Sequence, residues 1–236
     1  HSSPTCEVVY ENSPGELLGE LGQGLTRCTL GMTGFMRLGS AAGGCGGGAA
    51  SYFESLNYAE QRIQFGKPIS QIPMVEDMLD KIRRETMAMR ILTLETAFVV
   101  DMFQHKQIRL EKENKSDREI LNDPRVKSWN QLASLLTPMA KYYCSEMGME
   151  MASLGLQIHG GAGYTDDYDI SRIFRDSRIN TIYEGTSQIQ IRLSTGKITA
   201  GMTNDGFLRK FIESIEREIY NPSPNLKIQK EIFESA

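Results

Sequence analysis

Cysteine chemistry has little to work with in this chain. Four cysteines, Cys6, Cys28, Cys45 and Cys144, lie far apart and none forms a CxxC pair. That spacing excludes zinc-ribbon and thioredoxin-type sites. Reduced, partly buried thiols fit an intracellular protein. Long apolar runs are also missing, so no transmembrane segment is expected. The opening HSSPTCEVVY has no signal-peptide core. The expected location is cytoplasmic. A basic excess is absent: the formal net charge is −4, which argues against a nucleic-acid partner. It leaves room for a local basic pocket facing a phosphate-bearing ligand. Histidine is scarce, with His1, His105 and His159 only. No Glu-x-x-His pair exists, so neither a di-iron bundle nor another metal site is expected. There is no internal repeat.

What is present reads as helix. A 236-residue chain of 40% hydrophobic composition can bury a sizeable core. Leu30, Phe35, Leu38, Ala42, Ala49, Phe53 and Leu56 recur at helical spacing and predict a helix from Thr26 to about Arg62. The run Gly43-Gly44-Cys45-Gly46-Gly47-Gly48 interrupts it. Each glycine costs a helix about 1 kcal/mol relative to alanine. The run is therefore a break or a place of close helix packing. A phosphate loop is the weaker reading, because no strand precedes it and no Gly-Lys-Ser/Thr follows.

Gly66 and Pro68 stop that helix. Pro73 opens a second one, carrying a Met-rich apolar stripe from Met74 to about His105. The charged stretch Lys106 to Asp123 is expected as a solvated helix end, a loop or partial disorder. A third helix covers Pro124 to Leu154, with a kink at Pro138. A short helix is expected over Asp169 to Arg178, a fourth long one over Thr186 to Met202, and another over Asp205 to Tyr220. Cys6 to Tyr10 alternates like a strand, and Leu17 to Leu21 is a second extended candidate. A lone edge strand is marginal. The chain is expected to be a piece of a longer polypeptide, cut inside or just after a β region.

The fold class expected is all-α. It is a four-helix up-and-down bundle with a short β and turn stub in front and a helical extension behind. The divisions are residues 1–24, 25–202 and 203–236.

Three motifs can carry chemistry. Gln157 to Tyr164, QIHGGAGY, is either a helix cap and turn or a glycine strip that admits an anionic diphosphate. Arg62 and Phe65 in RIQFG offer a planar cationic fork and a stacking face; the alternative is a surface arginine at a helix end. Glu184 in Tyr183-Glu184-Gly185-Thr186 sits at the mouth of a helix. It is either a base held by backbone or a decoration of that N-terminus, with Thr186 as the N-cap.

Together and in order, RxxFGKPI, GGAGY, RDxRI and IYEGTSQIQ resemble the acyl-CoA dehydrogenases over roughly residues 15 to 200. The charged insert, the phrase LLTPMAKYYCSEMG and the extension after Met202 look like the larger bacterial members. The resemblance implies an FAD-dependent enzyme that desaturates acyl-CoA to trans-2-enoyl-CoA. It implies that Glu184 takes the α-proton while the β-hydride goes to flavin N5. Water expelled by the substrate would raise the pKa of that base. Arg62, Gln64 and Phe65 match positions that touch FAD, largely from a neighbouring subunit. Gln157, Gly160 and Gly161 match the strip for the diphosphate and adenine side. Thr186 and Gln188 match FAD contacts beside the base. Gly34, Arg37 and Gly185 fall where the family meets the CoA thioester arm.

Some members carry the base next to the arginine matched by Arg37, but Met36 stands there. Pro73 replaces a glutamine that touches flavin in the family, and Gly34 replaces an acidic residue. His159 is expected in a loop near the cofactor, with no catalytic role. The implied partners are acyl-CoA, an electron-transfer flavoprotein, and a second copy in a homodimer or dimer of dimers. The family's N-terminal helical domain and most of its β domain are missing here, so the isolated chain is expected to hold no FAD and to be inactive. Two rivals stay open: an acyl-CoA oxidase of the same fold, and a cofactor-free helical interaction domain.

Overall fold

The longest helices are built on small residues as much as on large ones. The computed structural model describes residues 6–25, 30–203 and 206–220. Its elements are α1 (Leu30–Gln61), β1 (Ile63–Gln64), β2 (Lys67–Pro68), α2 (Pro73–Lys112), α3 (Asp117–Asn122), α4 (Pro124–His159), α5 (Ile170–Ser177), α6 (Ser187–Gly201) and α7 (Phe207–Tyr220). α4 touches every other helix.

Side-chain pairs give the directions. A Cβ on Gly148 would meet the Gly44 backbone, and one on Gly155 would meet Ser55, so α1 and α4 run the same way. Lys81 bonds Glu150 and Phe98 meets Trp129, so α2 runs against α4. Ser187 bonds Glu146, while Leu193 and Lys197 share a groove with Ala133 and Asn130. α6 therefore also runs against α4. The result is the up-and-down four-helix bundle.

The glycine run does not break α1. Ser40, Ala41, Gly44, Gly48, Ser51, Ser55 and Ala59 are buried and repeat at three and four residues. They form the inward face. A Cβ at Gly44 would stand 2.1 Å from the Cys144 carbonyl oxygen, and one at Gly48 would stand 2.6 Å from the Met89 methyl carbon. Ser51 is satisfied by donating to the Gly47 carbonyl at 2.8 Å. Phe35 and Phe53 face outward instead, at 65% and 66% exposure, while Tyr52, Leu56 and Tyr58 pack at the edge of the core. Against that face lie Ile82, Met89, Cys144 and Met151, all fully buried. A second cluster joins Val99, Leu132, Ala133 and Leu136 to Trp129 and to Phe211 of α7.

Pro73 and Pro124 each occupy the first turn of their helix, where a missing N–H costs nothing. Asp123 caps α4, accepting from the Arg125 N–H at 2.9 Å. α4 runs on through Pro138 to His159. The charged stretch is ordered further than expected: α2 continues to Lys112, and Ser116 and Glu119 form a capping box for α3. Cys6 to Tyr10 is exposed and forms no strand among the described residues. It has no partner there to complete its hydrogen bonds. The described strands are the two-residue pair β1 and β2, turned by Phe65 and Gly66 at φ 54° and 79°. Two positive φ values are what a type I′ hairpin requires. No described helix is long and apolar enough to cross a membrane. Among the described residues no group of three or more His, Cys, Asp or Glu could hold a metal.

Candidate active site

Glu184 lies on the turn that joins a short 3₁₀ segment, Arg178–Thr181, to α6. Its φ is 55° and that of Gly185 is 91°. Left-handed backbone is cheap for Gly185 but disfavoured for a residue with a Cβ. Glu184 is half-buried, and Thr186 takes the N-cap position without a side-chain cap bond. The Gln190 side-chain amide donates to the Glu184 carbonyl at 3.1 Å and to the Gly185 carbonyl at 2.9 Å.

Arg37 comes to the same place from α1. Burial pushes its guanidinium below the ordinary value, and the Glu184 carboxylate pulls it back up. Its Nε is buried with no protein partner. Arg37 and Gly34 line a groove of about 320 Å³ whose other walls include Val100, Phe103, Thr137 and Leu193. Glu184, Gly185, Gly34 and Arg37 are therefore brought together. Gln188 is exposed on the first turn of α6, beside them in sequence.

Arg62 and Gly161 form a second group. They line a cleft of about 520 Å³ with Tyr58, His159 and Tyr168. Glu54 lines it too, so the cleft is not purely cationic. Gln64 lies in β1, and Phe65 at the hairpin turn is 91% exposed. Gln157 is exposed at the end of α4, where its carbonyl accepts the Gly160 N–H. Gly160 is the C-cap, at φ 61°. The strip is thus a helix cap followed by a 3₁₀ turn, Gly160–Tyr164. A Cβ at Gly160 or Gly161 would meet nothing within 4 Å.

An exposed aromatic, an arginine and a glycine strip open to approach suit a nucleotide diphosphate. The residues present fit that part of FAD. His159 belongs to the end of α4 and not to a loop. It is buried, stacks on Tyr58 at 4.4 Å, and bonds the Gly155 carbonyl through Nδ1 at 2.8 Å.

The two groups are far apart within one chain. From Arg37 to the end of α1 the helix runs for roughly 36 Å at its usual rise. Along α4, Lys141 to His159 is roughly 27 Å. The groove and the cleft share no lining residue.

Sequence reasoning missed Lys141 and Gln190, which are fully buried beside the turn. A signal was there for Lys141. Thr137, Lys141, Cys144, Gly148, Met151 and Gly155 keep the core spacing of α4, and one of them is a lysine.

Comparison with known proteins bears on this arrangement. The sequence model of the acyl-CoA dehydrogenase C-terminal domain matches residues 22–113 and 125–198. The 3-methylmercaptopropionyl-CoA dehydrogenase of Ruegeria pomeroyi is 33% identical over 80% of this chain and 31% of its own length. The CarC subunit of the caffeyl-CoA reductase–Etf complex of Acetobacterium woodii is 31% identical over 82% of this chain and 45% of its own. The chain thus spans less than half the length of these relatives. Among solved structures, an acyl-CoA dehydrogenase of Bacillus anthracis complexed with FAD superposes with a TM-score of 0.61 at 26% identity. That match covers 81% of this chain and 32% of the other. With the domain matched over most of its length, this chain belongs to the acyl-CoA dehydrogenase family.

Proposed function

We propose that this chain is the C-terminal part of an FAD-dependent enzyme that converts acyl-CoA to trans-2-enoyl-CoA. FAD, when bound, would supply the two-electron acceptor for the β-hydride. Glu184 takes the α-proton onto its carboxylate. The Glu184 backbone N–H donates to the thioester carbonyl, which makes the α C–H acidic enough to lose its proton. Arg37, Gly34 and Gly185 receive the thioester arm. Thr186 and Gln188 meet the flavin beside the base.

Arg62, Gln64, Phe65, Gln157, Gly160 and Gly161 hold the diphosphate and adenine end. Because that end lies a helix length away from Glu184, we assign it to a second copy of the chain, giving a two-fold dimer or a dimer of dimers. Electrons leave to an electron-transfer flavoprotein. The isolated chain is inactive, and catalysis belongs to the full-length protein.

One observation carries the reading. Arg37 lines the groove, lies within the field of the Glu184 carboxylate, and keeps a buried Nε with no protein partner. A buried donor without an acceptor is costly unless a ligand supplies one. The test uses the full-length protein loaded with FAD. Acyl-CoA added without oxygen should bleach the yellow flavin, and Glu184→Gln should lose that bleaching while keeping FAD. Full bleaching by Glu184→Gln would remove this residue from the mechanism.

A further inference from the structure

The reaction as written makes no use of the lysine beneath the Glu184 turn. Lys141 is fully buried in the core face of α4. Lysine is rarely retained in a core without a specific partner. Its Nζ donates to the Gly185 carbonyl at 2.9 Å. The Gln190 amide donates to that same oxygen at 2.9 Å. Two side chains, one from α4 and one from α6, thus clamp a single carbonyl, and Gln190 also holds the carbonyl of Glu184.

What they clamp is a turn that would not hold itself. Glu184 is a Cβ-bearing residue at φ 55°, a conformation that persists only where surrounding contacts determine it. The clamp is close: a Cβ on Gly185 would lie 2.8 Å from the Gln190 amide nitrogen. The charges around Lys141 are balanced as well. Burial lowers its pKa from the ordinary value, Glu146 and Glu184 raise it, and Arg37 lowers it. Glu146 in turn accepts from Ser187, the first residue of α6. Lys141 therefore stands between the base, the arginine of the groove and the start of the following helix.

We propose that Lys141 is a positioning residue: with Gln190 it fixes the Gly185 carbonyl, and so aims the Glu184 carboxylate at the substrate α-carbon. The inference rests on Glu184 being the base. A methionine would fill the same volume with no donor, so packing alone does not call for lysine. The ammonium supplies a directed bond to the backbone of the turn.

The experiment compares the FAD-loaded full-length protein with Lys141→Met, Gln190→Met, the double variant and Glu184→Gln. With Lys141→Met the rate of anaerobic bleaching at saturating acyl-CoA should fall about 10- to 100-fold. The acyl-CoA dissociation constant should stay within about threefold. FAD content and the thermal midpoint should not fall. Gln190→Met should show the same split, and the double variant should be no slower than the slower single, because both act on one carbonyl.

If Lys141→Met keeps the wild-type rate while Glu184→Gln is dead, the positioning role is wrong and the base stands. If Glu184→Gln is fully active, the base assignment falls and the inference with it. A loss of rate that comes only with lost FAD and a lowered midpoint would make Lys141 structural and overturn the proposal. Should Lys141→Met not fold, Gln190→Met decides by the same criteria, and failure of both to fold counts against the proposal.

Discussion

Gly44 and Gly148 cross with no side chain between them: a Cβ on Gly148 would stand 2.6 Å from the Gly44 carbonyl oxygen. The neighbour is backbone, which cannot rotate away. Gly148→Ala should therefore destabilise the protein by about 1–3 kcal/mol through overpacking. Gly46 is the control on the same helix. It is exposed and its Cβ would meet nothing within 4 Å. Gly46→Ala should stabilise by about 0.5–1 kcal/mol, because it only removes backbone entropy. Urea unfolding of the two variants measures both signs. Equal effects would mean the crossing does not set the helix spacing.

Glu184 holds a backbone conformation that costs stability. A left-handed residue with a Cβ costs about 1–2 kcal/mol, and Glu184 has φ 55°. Glu184→Gly should raise the unfolding free energy by about 1 kcal/mol and abolish flavin bleaching in the full-length protein. A destabilised Glu184→Gly would show that side-chain contacts outweigh the backbone strain.

Arg37 is expected to recognise the thioester arm. Its Nε is buried and unpartnered. Hydrogen bonds to charged groups contribute about 1.5–3 kcal/mol. Arg37→Ala should weaken acyl-CoA binding roughly 10- to 100-fold in a titration of the oxidised enzyme. An unchanged dissociation constant would place the arm away from the groove of α1, α2, α4 and α6.

His159 sets a pH dependence. Burial pushes its imidazole below the ordinary 6.5, against the bond to Gly155 and the charge of Glu54. The unfolded chain then binds the proton more readily than the folded one. Stability from this group is complete above 6.5 and is lost as pH falls from there through the lower folded value. The thermal midpoint should drop over that window. His159→Phe keeps a ring against Tyr58 and has no proton to bind, so its midpoint should change less. Identical pH curves for the two proteins would remove His159 as the cause.

Much of the fold could be read from spacing alone. The second, third and fourth long helices follow from apolar periodicity and from Pro73 and Pro124 at first turns. The orientation of α1 could not. Its large residues, Phe35 and Phe53, suggested one face, whereas the glycines and serines made the buried one. Hydrophobicity cannot see a face chosen for closeness of approach. The strand expected at Cys6 to Tyr10 is not formed, because alternation specifies a strand only if a partner completes its ladder. Glu184 was legible because its neighbours form a specific local motif. Lys141 lies 43 positions away in the chain and meets the turn only through the packing of α4 against α6.

The chain's order of residues determined which segments are helical, where prolines start them, and which short motifs carry a carboxylate, an arginine and a glycine strip. These are local matters, settled within one or two helical turns. Tertiary structure decided which face of α1 is inside, that one carbonyl is clamped by Lys141 and Gln190, and that Arg62 ends a full helix length from Glu184. Those outcomes depend on contacts between residues distant in the chain. Backbone approach and helix direction set them, and neither is written in the periodicity of any single segment.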